Sequence, residues 1–185
     1  VLSHLQRQPD QRMFASIRSL LSAESAAVQE AAIRALIFLN TEDLSDEIRP
    51  FIQHPKQKLK IAAFEYLLHW RPGEQQALLK QYLEDEAIEV QAAALVSMAK
   101  SINHSSDLEQ QFTLDRLLTT WIQTLENLQE PASVQLVKIS LAKAVGYAHF
   151  STYYHLLKQY LNDPDPQVQK GAIAAAGSTV SVFFI

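Results

Sequence analysis

Catalysis and metal binding need side chains held in convergent geometry, and residue spacing is the first trace of it. The six histidines are scattered, at His4, His54, His69, His104, His149 and His155. No two stand four residues apart on one helical stretch, the spacing that would put two imidazoles on one face for zinc. His149 and His155 flank the turn GYAHFSTYYH and read as turn or surface histidines. The chain has no cysteine, which removes thiolate catalysis, disulfides and cysteine-based zinc sites. No catalytic residue, no metal and no cofactor is therefore expected, and the reading is of a protein that is not an enzyme. Missing cysteine leaves the compartment open, and a cytoplasmic place is the expectation.

Three charged or aromatic clusters remain. Glu84, Asp85, Glu86 and Glu89 lack the alternating oxygen ligands and the glycine of a calcium loop. Carboxylates at a helix start are better explained by capping and by the helix dipole, and Asp163 and Asp165 take the same reading. In HPKQKLK, Lys56, Lys58 and Lys60, with Arg49 upstream, form the strongest basic patch, and without interleaved aromatics it reads as a solvated helix end. Tyr147, Phe150, Tyr153 and Tyr154 gather around one turn and read as packing between two helices. A formal net charge of -4 removes the basic excess of a nucleic-acid or anionic-membrane binder.

The elements that would carry these residues are written in a repeat. Residues 78–95 read LLKQYLEDEAIEVQAAAL and residues 156–173 read LLKQYLNDPDPQVQKGAI. With the Val of "VQ" as anchor, five segments align, at Val28, Leu59, Val90, Val134 and Val168, spaced 31, 31, 44 and 34 residues apart. Each interval has room for two short helices and two turns. An apolar pair before the anchor closes the first helix, and turn and cap residues such as Asn162-Asp163-Pro164-Asp165-Pro166 separate it from the second. Helices are thus predicted over 10–22, 25–40, 44–53, 56–70, 73–84, 86–103, 107–128, 131–148, 151–162 and 165–180. The long fourth interval is read as an extended first helix, a local bulge in a regular array. With 48% hydrophobic residues, 19% charged, four glycines and seven prolines, an all-α chain of 185 residues has ample material for a core.

On a helical wheel, offsets 0, +3, +4, +7 and +8 from each anchor form one apolar face, for example Val28, Ala31, Ala32, Ala35 and Leu36. Offset +5 is apolar as well, at Ile33, Phe64, Leu95, Ile139 and Ile173. A helix apolar over so wide an arc must touch neighbours on two sides, as in a stack.

An apolar anchor followed by small residues and an apolar pair, with acidic residues in the intervening turn, resembles the HEAT repeat, especially its short bacterial form. The resemblance covers nearly the whole chain and implies an all-α right-handed superhelical solenoid of about five helical hairpins, one domain over residues 1–185. Family repeats commonly carry an Asp five residues before the anchor, matched here by Asp85 and Asp163, and an Arg just after it, replaced here by Gln29, Gln91, Gln135, Gln169 and Lys60. Those glutamines are expected to hydrogen-bond between repeats.

In a resembling array the second helices line the concave side, which leaves offsets +2 and +6 for a partner. These are Glu30 and Arg34, Ile61 and Glu65, Ala92 and Val96, Leu136 and Ser140, then Lys170 and Ala174. An apolar centre rimmed by charge fits a protein or peptide partner, and the implied function is a non-enzymatic scaffold. Two other readings compete with it. A HEAT-like DNA glycosylase needs a basic concave face, which Glu30 and Glu65 oppose. A soluble regulatory extension of a transporter-like membrane protein would show long apolar spans beyond this segment. The opening VLSHLQRQPD has no initiator Met and no signal pattern and reads as a boundary inside a longer protein. The tail GAIAAAGSTVSVFFI is uncharged but too short to cross a bilayer.

Overall fold

The structure, a computed structural model, describes residues 11–102 and 108–180. Among these there are ten α-helices and no strand: α1 Gln11–Ser19, α2 Ala26–Leu39, α3 Ser45–Ile48, α4 Gln57–Trp70, α5 Gln75–Leu83, α6 Ile88–Ile102, α7 Leu108–Asn127, α8 Pro131–Ala148, α9 Tyr154–Tyr160 and α10 Pro166–Val180. The chain is all-α, and no helix among the described residues is long and apolar enough to cross a membrane. Contacts divide it into two compact units, residues 1–78 and 79–185, with the boundary inside α5.

Helix ends follow from local chemistry. Pro131 and Pro166 open α8 and α10, where a missing N–H costs nothing. α2 stops at Asn40 and α8 at His149, both left-handed (φ 47° and 54°), with the Asn40 N–H on the Leu36 carbonyl and the His149 N–H on that of Val145. Four first helices expected as continuous α-helix are partly 3₁₀ in the structure: at Leu20–Ser22, at Arg49–Gln53, at Pro72–Glu74 and at Ser151–Tyr153. Pro50 accounts for the second, since it has no N–H to place on the Asp46 carbonyl and the α-helix ends at Ile48. The extended first helix of the fourth interval is α7, 20 residues long against nine in α1 and α5.

In the first unit, α2 packs on α4, α1 lies against α2 and α3 against α4. Its core holds Ile33, Leu36, Ile48, Leu59 and Tyr66. In the second unit α8 is sandwiched between α6 and α10, α7 lies against α6 and α8, and α9 against α8 and α10. Within each unit, then, second helices of successive hairpins pack on one another. The +5 residues behave as their wheel position demands in the first three hairpins: Ile33, Phe64 and Leu95 are fully buried. Ile139 is half-buried and Ile173 is exposed. α8 and α10 come very close, because a Cβ on Gly146 would lie 2.8 Å from the Ala175 carbonyl oxygen and 2.9 Å from its Cα.

Candidate partner-binding face

The two similar stretches, 78–95 and 156–173, form matching turns, and their polar residues explain how. Asp85 Oδ1 accepts the Ala87 N–H at 2.9 Å, and Asp163 Oδ1 accepts that of Asp165 at 3.0 Å. Gln91 Nε2 donates back to the Asp85 carbonyl at 2.5 Å, and Gln169 Nε2 to the Asp163 carbonyl at 2.8 Å. Gln29 does the same in the first hairpin, to the Leu21 carbonyl at 3.1 Å. These glutamines therefore close their own hairpin, where a ladder between repeats was expected. The side chain leaves the first turn of the second helix and meets carbonyls that the preceding helix end leaves unsatisfied. Only Gln135 reaches the next hairpin, donating to Asp165 Oδ2 at 2.6 Å.

That contact has a neighbour: Lys138 Nζ stands 2.6 Å from Oδ2 of the buried Asp163. The hydrogen bond from Gln135, followed by that from the Gln167 N–H, holds the Asp165 carboxyl below its usual range. Asp85, Asp163 and Asp165 are thus capping and turn groups.

With the turns fixed, the second helices present offsets +2 and +6. In the first unit Arg34 is exposed on α2, with Nε 3.0 Å from Glu30 Oε1 and NH1 2.6 Å from Glu65 Oε2 on α4. Partial burial opposes the Arg34 charge, and the two carboxylates more than offset it, so its pKa is raised. Ile61, one turn before Glu65 on α4, is half-buried. In the second unit Val96 on α6 and Leu136 on α8 are half-buried as well. Ala92 (2% exposed) and Ser140 (5%) are buried, because α6 and α8 pack closely over these short side chains. Of the ten positions, Glu30, Arg34, Ile61 and Glu65 in the first unit and Val96 and Leu136 in the second keep solvent access, and Lys170 and Ala174 are exposed on α10. His149, at its left-handed cap, has a buried Nδ1 with no hydrogen-bond partner among the described residues.

Other sequence candidates resolve into structure. Arg49, counted in the basic patch, is a bidentate partner of Glu74, both N–O distances being 2.9 Å, and its hydrogen bonds hold the Glu74 carboxyl below its usual range. Lys56 and Lys58 are exposed. Tyr153 is buried, its ring 6.5 Å from that of Phe150, and its hydroxyl donates to Asp115 Oδ1 at 2.8 Å and lies 3.1 Å from Thr119 Oγ1. Tyr147 lies under Lys100, 5.0 Å from Nζ to the ring centre. No three metal-ligating side chains converge among the described residues. His4, His104 and the tail residues 181–185 lie outside them.

The ion pairs that tie adjacent hairpins are not apparent from the repeat spacing. Arg18 pairs with Glu47 and Arg49 with Glu74, alongside Arg34 with Glu65. The last was visible in principle, since Arg34 and Glu65 occupy the same +6 offset one repeat apart with opposite charge. No known family model matches the sequence, and comparison with curated proteins finds no match.

Proposed function

We propose that this chain is a non-enzymatic interaction domain, built as a right-handed α-solenoid of about five HEAT-like hairpins. Its second helices would receive a protein or peptide partner. The observation that carries the reading is the partial exposure of Ile61, Val96 and Leu136 on helices where most of the other apolar positions are buried. Accessible aliphatic side chains on rigid helices, beside ion pairs that are already formed, give a partner apolar anchors and a fixed pattern of charge. Because the helices are held by core packing, little ordering entropy is lost on binding. Glu30 and Glu65 flank Arg34 and neutralise it, which disfavours a polyphosphate ligand and favours a partner read by shape and apolar contact.

The test is selection of binders from a displayed peptide library, followed by anisotropy titration against two folded variants, Ile61→Asp and the pair Val96→Asp with Leu136→Asp. At least one variant is expected to lose about tenfold in affinity, equivalent to about 1.4 kcal/mol. Selected peptides that bind both variants as tightly as the parent would show that these helix faces do not form the site.

A further inference from the structure

The second helices of the second unit carry an unbalanced charge. Lys100 on α6, Lys138 and Lys143 on α8 and Lys170 on α10 are set against a single carboxylate in these helices, Glu89 in the first turn of α6. Lys138 is neutralised by Asp163. Lys100 and Lys143 are exposed, and among the described residues neither is in an ion pair. The first unit is built differently, since Arg34 there is held between Glu30 and Glu65.

α8 is the inner helix of this unit, with α6 and α10 on either side and α7 and α9 also packed on it. Past its first turn, Lys143 is its only exposed residue. Leu136 and Tyr147, both half-buried, lie within about 40° of Lys143 on the helical wheel, so the three form one strip along α8. Lys100 reaches onto that strip from α6, with its Nζ 5.0 Å from the centre of the Tyr147 ring. Val96 stands one turn before Lys100 and adds a second half-buried aliphatic side chain. Two ammonium groups without a counter-charge thus border aliphatic and aromatic carbon.

We propose that this strip binds an acidic peptide, whose carboxylates meet Lys100 and Lys143 and whose aliphatic side chains rest on Val96 and Leu136. The proposal rests on the reading that the second helices receive a peptide, and it supplies the chemistry of that partner. Carboxylates complement two lysines set beside apolar carbon. Phosphate backbones are gripped through many cations, and here the cations are few and alternate with valine and leucine. Leu136 and Lys143 are separated by two helical turns, about 10 Å, a span that an extended peptide covers in about three residues. The preferred partner therefore carries an acidic residue about three positions from an aliphatic one.

Selection from an unbiased displayed peptide library tests it. The selected peptides are expected to be rich in Asp and Glu beside Leu, Ile or Val, and their affinity, read by fluorescence anisotropy, should fall as salt is added. Lys100→Glu combined with Lys143→Glu changes exposed side chains and, with an unchanged circular dichroism spectrum, is expected to weaken these peptides at least about tenfold. Lys100→Arg combined with Lys143→Arg should keep the binding. Selected peptides that show no acidic enrichment, yet lose affinity for the Val96→Asp and Leu136→Asp pair, would overturn the acidic partner and leave the peptide-binding reading standing. A library that yields no binder overturns both. Single-stranded DNA or phosphatidylserine vesicles that bind more tightly than the acidic peptides, and depend on the same two lysines, would assign the strip to phosphate and overturn the proposal.

Discussion

At Gly146 the missing side chain fixes the distance between two helices. A methyl group there would meet the backbone of Ala175 below 3.0 Å, and backbone cannot turn aside as a flexible side chain can. Gly177, near the end of α10, is the opposite case, with nothing among the described residues within 4 Å of where its Cβ would stand. Gly146→Ala is thus expected to destabilise by about 1–3 kcal/mol through overpacking. Gly177→Ala is expected to stabilise by about 0.5–1 kcal/mol, because alanine loses less backbone freedom in a helix. Paired urea titrations decide it, and equal signs for the two would contradict the close approach of α8 and α10. Neither role was legible in the sequence, where both glycines read only as small residues on a helix. Their difference comes from what lies across the interface, and period and propensity do not report on that.

At the scale of the hairpin, the sequence was far more informative. A period in apolar residues fixes which face of a helix is buried, and ten helices appear close to where the anchors and turn residues place them. The departures come where a first helix is short and its backbone tightens into 3₁₀, as at Pro50. The glutamines depend on more than period. Their position after each anchor is evident, but whether Nε2 reaches a neighbouring hairpin or its own turn depends on side-chain direction in three dimensions. In Gln91 and Gln169 it turns back six residues to a carbonyl. Gln91→Ala or Gln169→Ala is expected to cost about 1 kcal/mol, the net value of one hydrogen bond with a carbonyl left short of a donor. Gln→Glu should cost more at neutral pH, since a carboxylate would then face the carbonyl oxygen. Thermal melts of the four variants test the ordering, and melts indistinguishable from the parent would remove the clamp. The positions proposed for a partner were legible in part: wheel offsets named all ten residues, but the close packing of α6 and α8 that buries Ala92 and Ser140 depends on helix-to-helix distance.

Over the whole chain, stability should depend on pH asymmetrically. The carboxyls with lowered pKa values, Asp43, Glu74 and Asp165, are surface groups held by Ser45, Arg49 and Gln135 respectively. A depressed folded-state pKa contributes stability above the unfolded value, here 3.8 for the aspartates and 4.5 for Glu74, and loses it as pH falls. Solvent screens such groups, so the acid limb should be shallow and the part carried by the Glu74 ion pair should shrink in salt. The tyrosines work in the other direction. Burial, with the nearby Asp163 carboxylate adding to it, pushes Tyr160 from 10.0 to about 12, and burial raises Tyr66, Tyr82 and Tyr153 too. A raised folded-state pKa contributes stability that is whole below 10.0 and is lost as pH climbs toward 12, because the unfolded chain ionises first. These hydroxyls sit among packed helices, so the alkaline limb should be steep and indifferent to salt. Melting temperature followed across pH, with tyrosinate absorbance recorded in parallel, should show unfolding and ionisation of the buried tyrosines together. Tyr160→Phe, which removes an ionisable group and little volume, should make that limb shallower and leave the acid limb unchanged. Early, non-cooperative ionisation of every tyrosine in the folded chain would mean that the hairpins open locally to admit water and hydroxide, and that the buried cores of the two units are far less tightly closed than their packing implies.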